Sequence, residues 1–158
     1  MSSPTVISRT DLARHTRDVV DQAQRGHIFV VESYGEEQVA ILDIQDYRLL
    51  IAVANYHAQP QEGAAHPAPA RDASVTPKGL REEDVEAAVA EAGGDPQVGW
   101  NMIVSAYLDG NISFGRMADL LEFSRFDLAR RFTQLGLPFR LGPANSDEAK
   151  AELRALLD

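Results

Sequence analysis

The sequence predicts an α+β chain, in which a small mixed domain is followed by a linker and then by an all-helical region. Short β-branched runs alternate with amphipathic helical spacing in the first 58 residues, whereas residues 96–158 show helical spacing alone. The stretch between them is rich in proline, alanine and acidic side chains, which is typical of a linker. We therefore divide the 158 residues into segments 1–58, 59–95 and 96–158.

The first segment predicts, in order, a strand, a helix, a hairpin and a helix. The first helix ends at Gly26 and carries one apolar face. Two β-branched runs, 28–31 and 38–42, flank Tyr34-Gly35 and predict the hairpin. Asp43 then stands where the cap of the second helix belongs. A unit of this size buries too small a core to be stable alone, so we expect it to dimerise.

The other two segments predict helices. The middle segment holds four prolines and then an acidic stretch, 80–92, which predicts a solvated helix that acts as a spacer. In the last segment, three helices are predicted to begin after serine caps, at Ser113, Ser124 and Ser146. Gly110 and Gly136 are predicted to end helices. The two helices that flank residues 122–124 have helix–turn–helix proportions, which any small helical bundle can also produce.

The net charge of −9 is unfavourable for binding nucleic acid, because such binding depends on neutralising phosphates. The charge is unevenly distributed, however. Residues 1–31 carry four arginines against three aspartates, whereas residues 32–95 carry four basic against thirteen acidic side chains. Both ends of the chain can therefore present basic surfaces.

Several classes of protein are disfavoured. The chain has no cysteine, no apolar run of membrane-spanning length and no signal-like start, so we expect a cytoplasmic protein that does not contact a membrane. Its four histidines are scattered and do not stand at metal-ligand spacing. No nucleotide-binding or hydrolase motif is present. We expect no enzymatic activity, no metal and no cofactor.

The first segment resembles the Phd/YefM antitoxin family. The stretch ISRTDLARHTRDVVDQAQRG, residues 7–26, has that family's strand, acidic-Leu-x-Arg helix and closing glycine, and FVVESYGEEQVAILDIQDYRLL, residues 29–50, has its hairpin and final helix. The sequence departs from the family at Glu32-Ser33-Tyr34, where members often have Thr-Arg before the turn glycine. The resemblance implies a homodimer or higher oligomer that represses its own operon and neutralises a toxin.

By this resemblance, the residues expected to contact operator DNA lie at the start of the first helix: Ser8, Arg9, Thr10, Arg14 and Arg17. The chemistry agrees, because a helix N-terminus attracts anions and because hydroxyl and guanidinium groups bind phosphates and base edges. A dimer would repeat this patch, so we expect a palindromic operator. The competing interpretation is that Arg9 and Arg17 are solvated side chains paired with Asp18 or Asp21.

Residues 104–137 resemble a second family, small putative antitoxins encoded beside PIN-domain ribonuclease toxins. The likeness lies in a small-x-x-Tyr pattern, then Gly-x-Ile-Ser-x-Gly, then a Phe/Leu helix, with Met117 in a position where that family usually has Ala. The resemblance implies a toxin of the PIN type. Two candidate surfaces for binding the toxin or DNA follow. One is a polar helix face formed by Arg125, Arg130, Arg131 and Gln134. The other is an apolar face of the C-terminal helix, formed by Leu153, Leu156 and Leu157.

The role of these two surfaces is open at this stage. The polar face is expected to point outward and to contact either the toxin or DNA, while the leucines fit a groove on the toxin or the chain's own bundle. One alternative is a stand-alone helix–turn–helix transcriptional regulator without a toxin. Another is an interaction scaffold that never binds nucleic acid.

Overall fold

The computed structural model describes residues 3–59 and 79–139 and shows an α+β chain, as predicted. It divides into two compact units. The first unit comprises Met1–Leu50 together with Ala129–Pro138, and the second comprises Ile51–Leu128 with Phe139–Asp158. This division differs from the three consecutive segments expected from the sequence, because residues 129–138 join the first fifty residues. Within the described ranges, no helix is long and apolar enough to cross a membrane.

The first unit contains a three-stranded sheet in the order β1 (Thr5–Ser8), β2 (Phe29–Ser33) and β3 (Glu36–Ile41). Strand β1 pairs in parallel with β2, so helix α1 (Arg9–Gln24) makes the crossover between them. Strand β3 pairs antiparallel with β2 through the predicted turn at Tyr34-Gly35, where both residues have positive φ, 55° and 79°. Such backbone values are those of a type I′ hairpin turn.

The core of this sheet lies against α1. Val19 and Ala23 of the helix and Phe29 of β2 are buried together, and Ile7, Leu12 and Ile41 pack around them. Val19 and Ala23 are one helical turn apart and Leu12 lies two turns before Val19, so these residues share one face of α1. The apolar spacing of the sequence therefore predicted this packing correctly.

Helix α2 (Ile44–Ala58) begins directly after Asp43, the residue predicted to cap it. The carboxylate oxygen Oδ1 of Asp43 accepts a hydrogen bond from the backbone N–H of Gln45 at 2.8 Å, which satisfies one of the free donors at the start of a helix. Leu49 and Ala52 are fully buried on one side of the helix. Asp46 is buried as well, and its partners are described with the functional site.

The second unit is helical, with the end of α2 from Ile51 onward, α3 (Glu82–Glu91), α4 (Pro96–Leu108), α5 (Phe114–Leu120) and the first residues of α6 (Arg125–Gln134). Helices α5 and α6 begin at the predicted serine caps: Ser113 accepts from the N–H of Arg116 at 3.1 Å, and Ser124 accepts from that of Asp127 at 3.1 Å. The predicted helix after Ser146 lies outside the described residues. The buried apolar side chains of this unit include Ile103, Val104, Tyr107, Phe114 and Met117.

Helix α3 is more than a solvated spacer, because it packs against α4. The contact is centred on Gly99, which is buried. A Cβ atom at Gly99 would lie 3.1 Å from Cγ1 of Val85 and 3.1 Å from Cγ2 of Val89. The two valines on one face of α3 therefore fit against a position of α4 that has no side chain.

Replacing Gly99 with Leu is expected to destabilise the second unit, because the valine side chains are rotationally stiff and cannot yield easily. We expect a loss of roughly 1–3 kcal/mol in the free energy of unfolding, measured by urea denaturation. The matched control is Gly79→Leu, since a Cβ atom there meets no atom of the described residues within 4 Å. Equal stability of the two variants would contradict the packing of α3 on α4.

Candidate nucleic-acid interface

The tip of α1 is fixed by Ser8, which is the cap of the helix. Its hydroxyl accepts a hydrogen bond from the N–H of Asp11 at 3.0 Å and donates one to Oδ2 of the same residue at 2.7 Å. Ser8 therefore positions the tip, while its hydroxyl is already used within the chain. The Asp11 carboxylate is exposed at the tip and repels an approaching phosphate, so attraction must come mainly from the arginines on either side of it, Arg9, Arg14 and Arg17.

The three arginines of this tip are exposed. Arg9, Arg14 and Arg17 form no ion pair with any residue in the part of the chain that the structure describes. The pairing of Arg9 or Arg17 with Asp18 or Asp21 that the competing interpretation required is therefore absent from these ranges. Exposed guanidinium groups without a carboxylate partner are available to bind an anion.

These side chains do not form a single patch. Thr10 and Arg14 are four residues apart, which places them on one face of the first two turns of α1, whereas Arg17 follows the irregular residue His15. Arg9 lies on another face and lines a groove together with Ala13 of the next turn. The helix also departs from regular geometry at His15, with φ −124° and ψ 27°, so its first two turns form a segment distinct from the rest.

The groove beside Arg9 is mainly apolar. Val20 of α1 is 44% exposed there, and Val39 of β3 is 58% exposed. The remaining lining residues come from the same helix and from strands β2 and β3: Leu12, Ala13, Thr16, Val31, Gln38 and Ile41. Contiguous exposed apolar surface of this kind is common at protein–protein interfaces.

The prediction that Arg131 faces outward is wrong. Its side chain is buried, with 8% of the residue exposed, and its guanidinium binds residues at the start of α2. Nη1 donates to Oδ1 of Asp43 at 3.2 Å and to Oδ1 of Asp46, while Nη2 donates to Oε1 of Gln45 at 2.9 Å. Arg131 thus stabilises the first unit and does not contribute to an exposed binding face.

Burial shapes the electrostatics of this cluster. Desolvation raises the pKa of Asp46 above its ordinary value, and the hydrogen bond and charge of Arg131 oppose that rise. Oδ2 of Asp46 is buried and accepts no hydrogen bond from the described residues. The Asp46 carboxylate therefore depends on Arg131 for its stability in the folded chain.

The other members of the predicted polar face lie in different places. Arg125 is exposed but lies against α5, because a Cβ atom at Gly115 would come 2.6 Å from its Nη2 atom. Arg130 is exposed and Gln134 half-buried, and both line a cavity of the first unit. The three leucines of the second predicted surface, Leu153, Leu156 and Leu157, lie outside the described residues.

Sequence reasoning missed Phe126, which is 88% exposed in the first turn of α6. The helical spacing could have indicated this exposure. The buried residues Leu128 and Phe132 are one turn apart, and Phe126 does not lie on their face of the helix. An exposed aromatic side chain is a common anchor of protein–protein interfaces.

Within the ranges that the structure covers, no group of three or more histidine or acidic side chains is arranged to hold a metal ion. No family model matches the chain, and no solved structure matches it. The chain is similar to a UPF0175 protein of Archaeoglobus fulgidus, with 32% identity over 62 residues. The matched part is 39% of this chain and 64% of that protein, so the chain spans less than two thirds of that relative. The relative's name states no activity, substrate or partner.

Proposed function

We propose that this chain is a DNA-binding antitoxin, which represses its operon through the first unit and neutralises a toxin by direct binding. The observation that carries the proposal is a set of three exposed arginines in the first nine residues of α1, which form no ion pair with any residue that the structure describes. A chain with a net charge of −9 would bind duplex DNA only through such a local basic surface.

The proposed contact with DNA has two parts. Arg14 and Thr10 offer donors from one face of α1, which suits a phosphate strand, and Arg17 adds a further cation beyond the irregular residue His15. The N–H groups at the helix start add to these donors. Ser8 holds the tip in position through its cap. Arg9 projects from a neighbouring face of α1, so the helix tip can contact two adjacent positions of the DNA backbone or groove.

The apolar groove supports the proposed homodimer. It lies next to Arg9, and its exposed valines, Val20 and Val39, are of the kind that a second copy would cover. A two-fold pair would repeat the basic tip, which is the arrangement that a palindromic operator requires.

The toxin is proposed to bind the second unit, with Phe126 as an apolar anchor beside Arg125. The toxin class, a PIN-type ribonuclease, follows from the family resemblance of residues 104–137. A stand-alone regulator is the second candidate, favoured by the helix–turn–helix order of α5 and α6. That candidate has one side chain fewer for contacting DNA bases, because Arg131 is buried.

The test is copurification with the product of the neighbouring gene, together with a gel shift on the chain's own promoter at several salt concentrations. We expect a stable complex with a small ribonuclease-like protein and a promoter affinity that falls steeply with salt. A promoter shift without any partner would favour the stand-alone regulator. Absence of a promoter shift at low salt would reject DNA binding and leave an interaction scaffold.

A further inference from the structure

Helix α2 is apolar on two opposite sides. Its inner side holds Leu49 and Ala52, which are fully buried. The opposite side, which we call the outer face, is a line of residues that recur at intervals of three and four: Ile44, Tyr47, Ile51, Ala54 and Ala58. Ile44 is 58% exposed and Tyr47 is 49% exposed. Both alanines of the outer face are exposed as well, and Ile51 is half-buried.

The outer face lacks the charges that a helix normally presents to solvent. Residues 47–58 include one arginine, one histidine and neither a lysine nor an acidic side chain, whereas 25% of the whole chain is charged. A surface helix carries charged and polar side chains opposite its core, and a helix that is apolar all round is normally buried. The outer face therefore has the composition of a surface that another element covers.

The outer face is complementary to itself when two copies of the helix run antiparallel. In such a pair, Tyr47 lies against Ala58 of the second copy, and Ile51 lies against its Ala54. Each layer then joins a large side chain to a small one, which permits close packing without a void. A parallel pair would instead place tyrosine on tyrosine and alanine on alanine. The sizes of the side chains therefore favour the antiparallel arrangement.

The residues beside the outer face agree with the same pairing. Arg48 would lie next to Asn55 of the second copy, and His57 would lie next to its Leu50, so like charges do not meet. The two helix dipoles would also point in opposite directions, which is the favourable orientation. A contact of this kind is related to itself by a two-fold axis. A second copy of this chain is therefore the occupant that the outer face fits.

We propose that the outer face of α2 is a self-association surface, at which two copies of this chain pair through antiparallel helices. This surface shares no residue with the apolar groove beside Arg9, where the proposed homodimer forms. Two different two-fold contacts on one chain join dimers into a tetramer or a larger assembly. The inference therefore goes beyond the proposed function and does not depend on operator binding.

The experiment measures the mass of the full chain by sedimentation equilibrium, with Ala54→Arg as the test variant. Because the new arginine places a charge against Ile51 of the second copy, we expect the dissociation constant of the α2 pair to rise by about tenfold or more. Ala87→Arg is the matched control, since it makes the same substitution at an exposed alanine of α3. Val39→Arg disrupts the groove alone, so it separates the two contacts.

We expect the parent chain to form a tetramer or a larger assembly, each of Ala54→Arg and Val39→Arg to form a dimer, and the double variant to be a monomer. If the parent chain is a dimer that only Ala54→Arg separates, the α2 pair exists and the groove dimer of the proposed function does not. The inference is overturned if Ala54→Arg leaves the mass unchanged, or if Ala87→Arg lowers the mass equally.

Cross-linking tests the orientation of the pair, because the chain has no cysteine of its own. Under oxidation, chains with Tyr47→Cys are expected to form disulfides with chains that carry Ala58→Cys, whereas neither variant cross-links alone. Disulfides between two Tyr47→Cys chains would overturn the antiparallel pair, and so would the absence of any cross-link. This measurement leaves position 54 unchanged, so it tests the inference even if Ala54→Arg does not fold.

Discussion

Replacing Arg131 with Met is expected to lower the free energy of unfolding by about 3–5 kcal/mol at neutral pH. The substitution leaves Asp46, which is 1% exposed, without its cation, and it also removes a partner of Asp43 and Gln45. A buried carboxylate without a partner is far more costly than the loss of a surface ion pair. Urea denaturation of the full chain measures the change.

Two further variants separate the burial effect from simple loss of an arginine. Arg14→Met removes an exposed arginine of the first unit that forms no ion pair with any described residue, and it is expected to change stability by less than about 0.5 kcal/mol. The double variant Arg131→Met with Asp46→Leu removes both charges and is expected to regain most of the lost stability. If Arg131→Met lowers the free energy of unfolding no more than Arg14→Met does, the buried cluster does not stabilise the first unit as described.

The same cluster gives a dependence on pH. Burial raises the folded-state pKa of Asp46 above 3.8, so the folded chain holds this proton at a pH where the unfolded chain has lost it. Asp46 therefore favours folding most at acidic pH, and that contribution is lost as pH rises through the folded pKa. Without Arg131 the pKa of Asp46 rises further, so the difference in free energy of unfolding between Arg131→Met and the parent chain should narrow as the pH is lowered from neutral.

Replacing Arg9 and Arg14 together with Ala is expected to reduce operator affinity by about 100-fold or more, because charge-assisted contacts are lost from both copies of a dimer. Each phosphate contact removed should also lower the salt slope of binding by about 0.9. Toxin neutralisation is expected to survive, since both residues lie in the first unit. Gel shifts over a salt series and an inhibition assay measure the two effects.

The control for this variant is Arg81→Ala, which removes an arginine whose side chain is 67% exposed on the second unit. The single variants are informative as well. Arg14 lies on the face of Thr10, whereas Arg9 borders the apolar groove, so Arg9→Ala is expected to affect dimer formation in addition to DNA binding. If the variant with Arg9 and Arg14 replaced by Ala no longer inhibits the toxin but still binds DNA, the first unit binds the toxin and DNA binding lies elsewhere in the chain.

Local structure was predictable because short-range chemistry decides it. Asp43, Ser113 and Ser124 cap the helices that the sequence assigned to them, and Tyr34-Gly35 forms the expected hairpin turn. Each of these features depends on a few neighbouring residues, so the pattern contains the necessary information. The apolar spacing of α1 identified Val19 and Ala23 in the same way.

Long-range pairing was not predictable on those terms. Arg131 was expected to face outward with the other polar side chains of α6, but its partners lie more than eighty positions earlier in the chain. Arginine is seldom buried without a partner, and no local pattern identifies partners that distant. The packing of Val85 and Val89 on Gly99 was missed for a related reason, because the acidic residues around them suggested a solvated helix.

The first unit is discontinuous, since Ala129–Pro138 complete what Met1–Leu50 begin. During synthesis, the carboxylate of Asp46 therefore leaves the ribosome long before its guanidinium partner does. The amino-terminal fold cannot mature until Arg131 has been translated, so the surface proposed to read the operator would become fully stable only when most of the chain exists. Under the proposed function, truncated translation products would be poor repressors, and only nearly full-length chains would repress the operon.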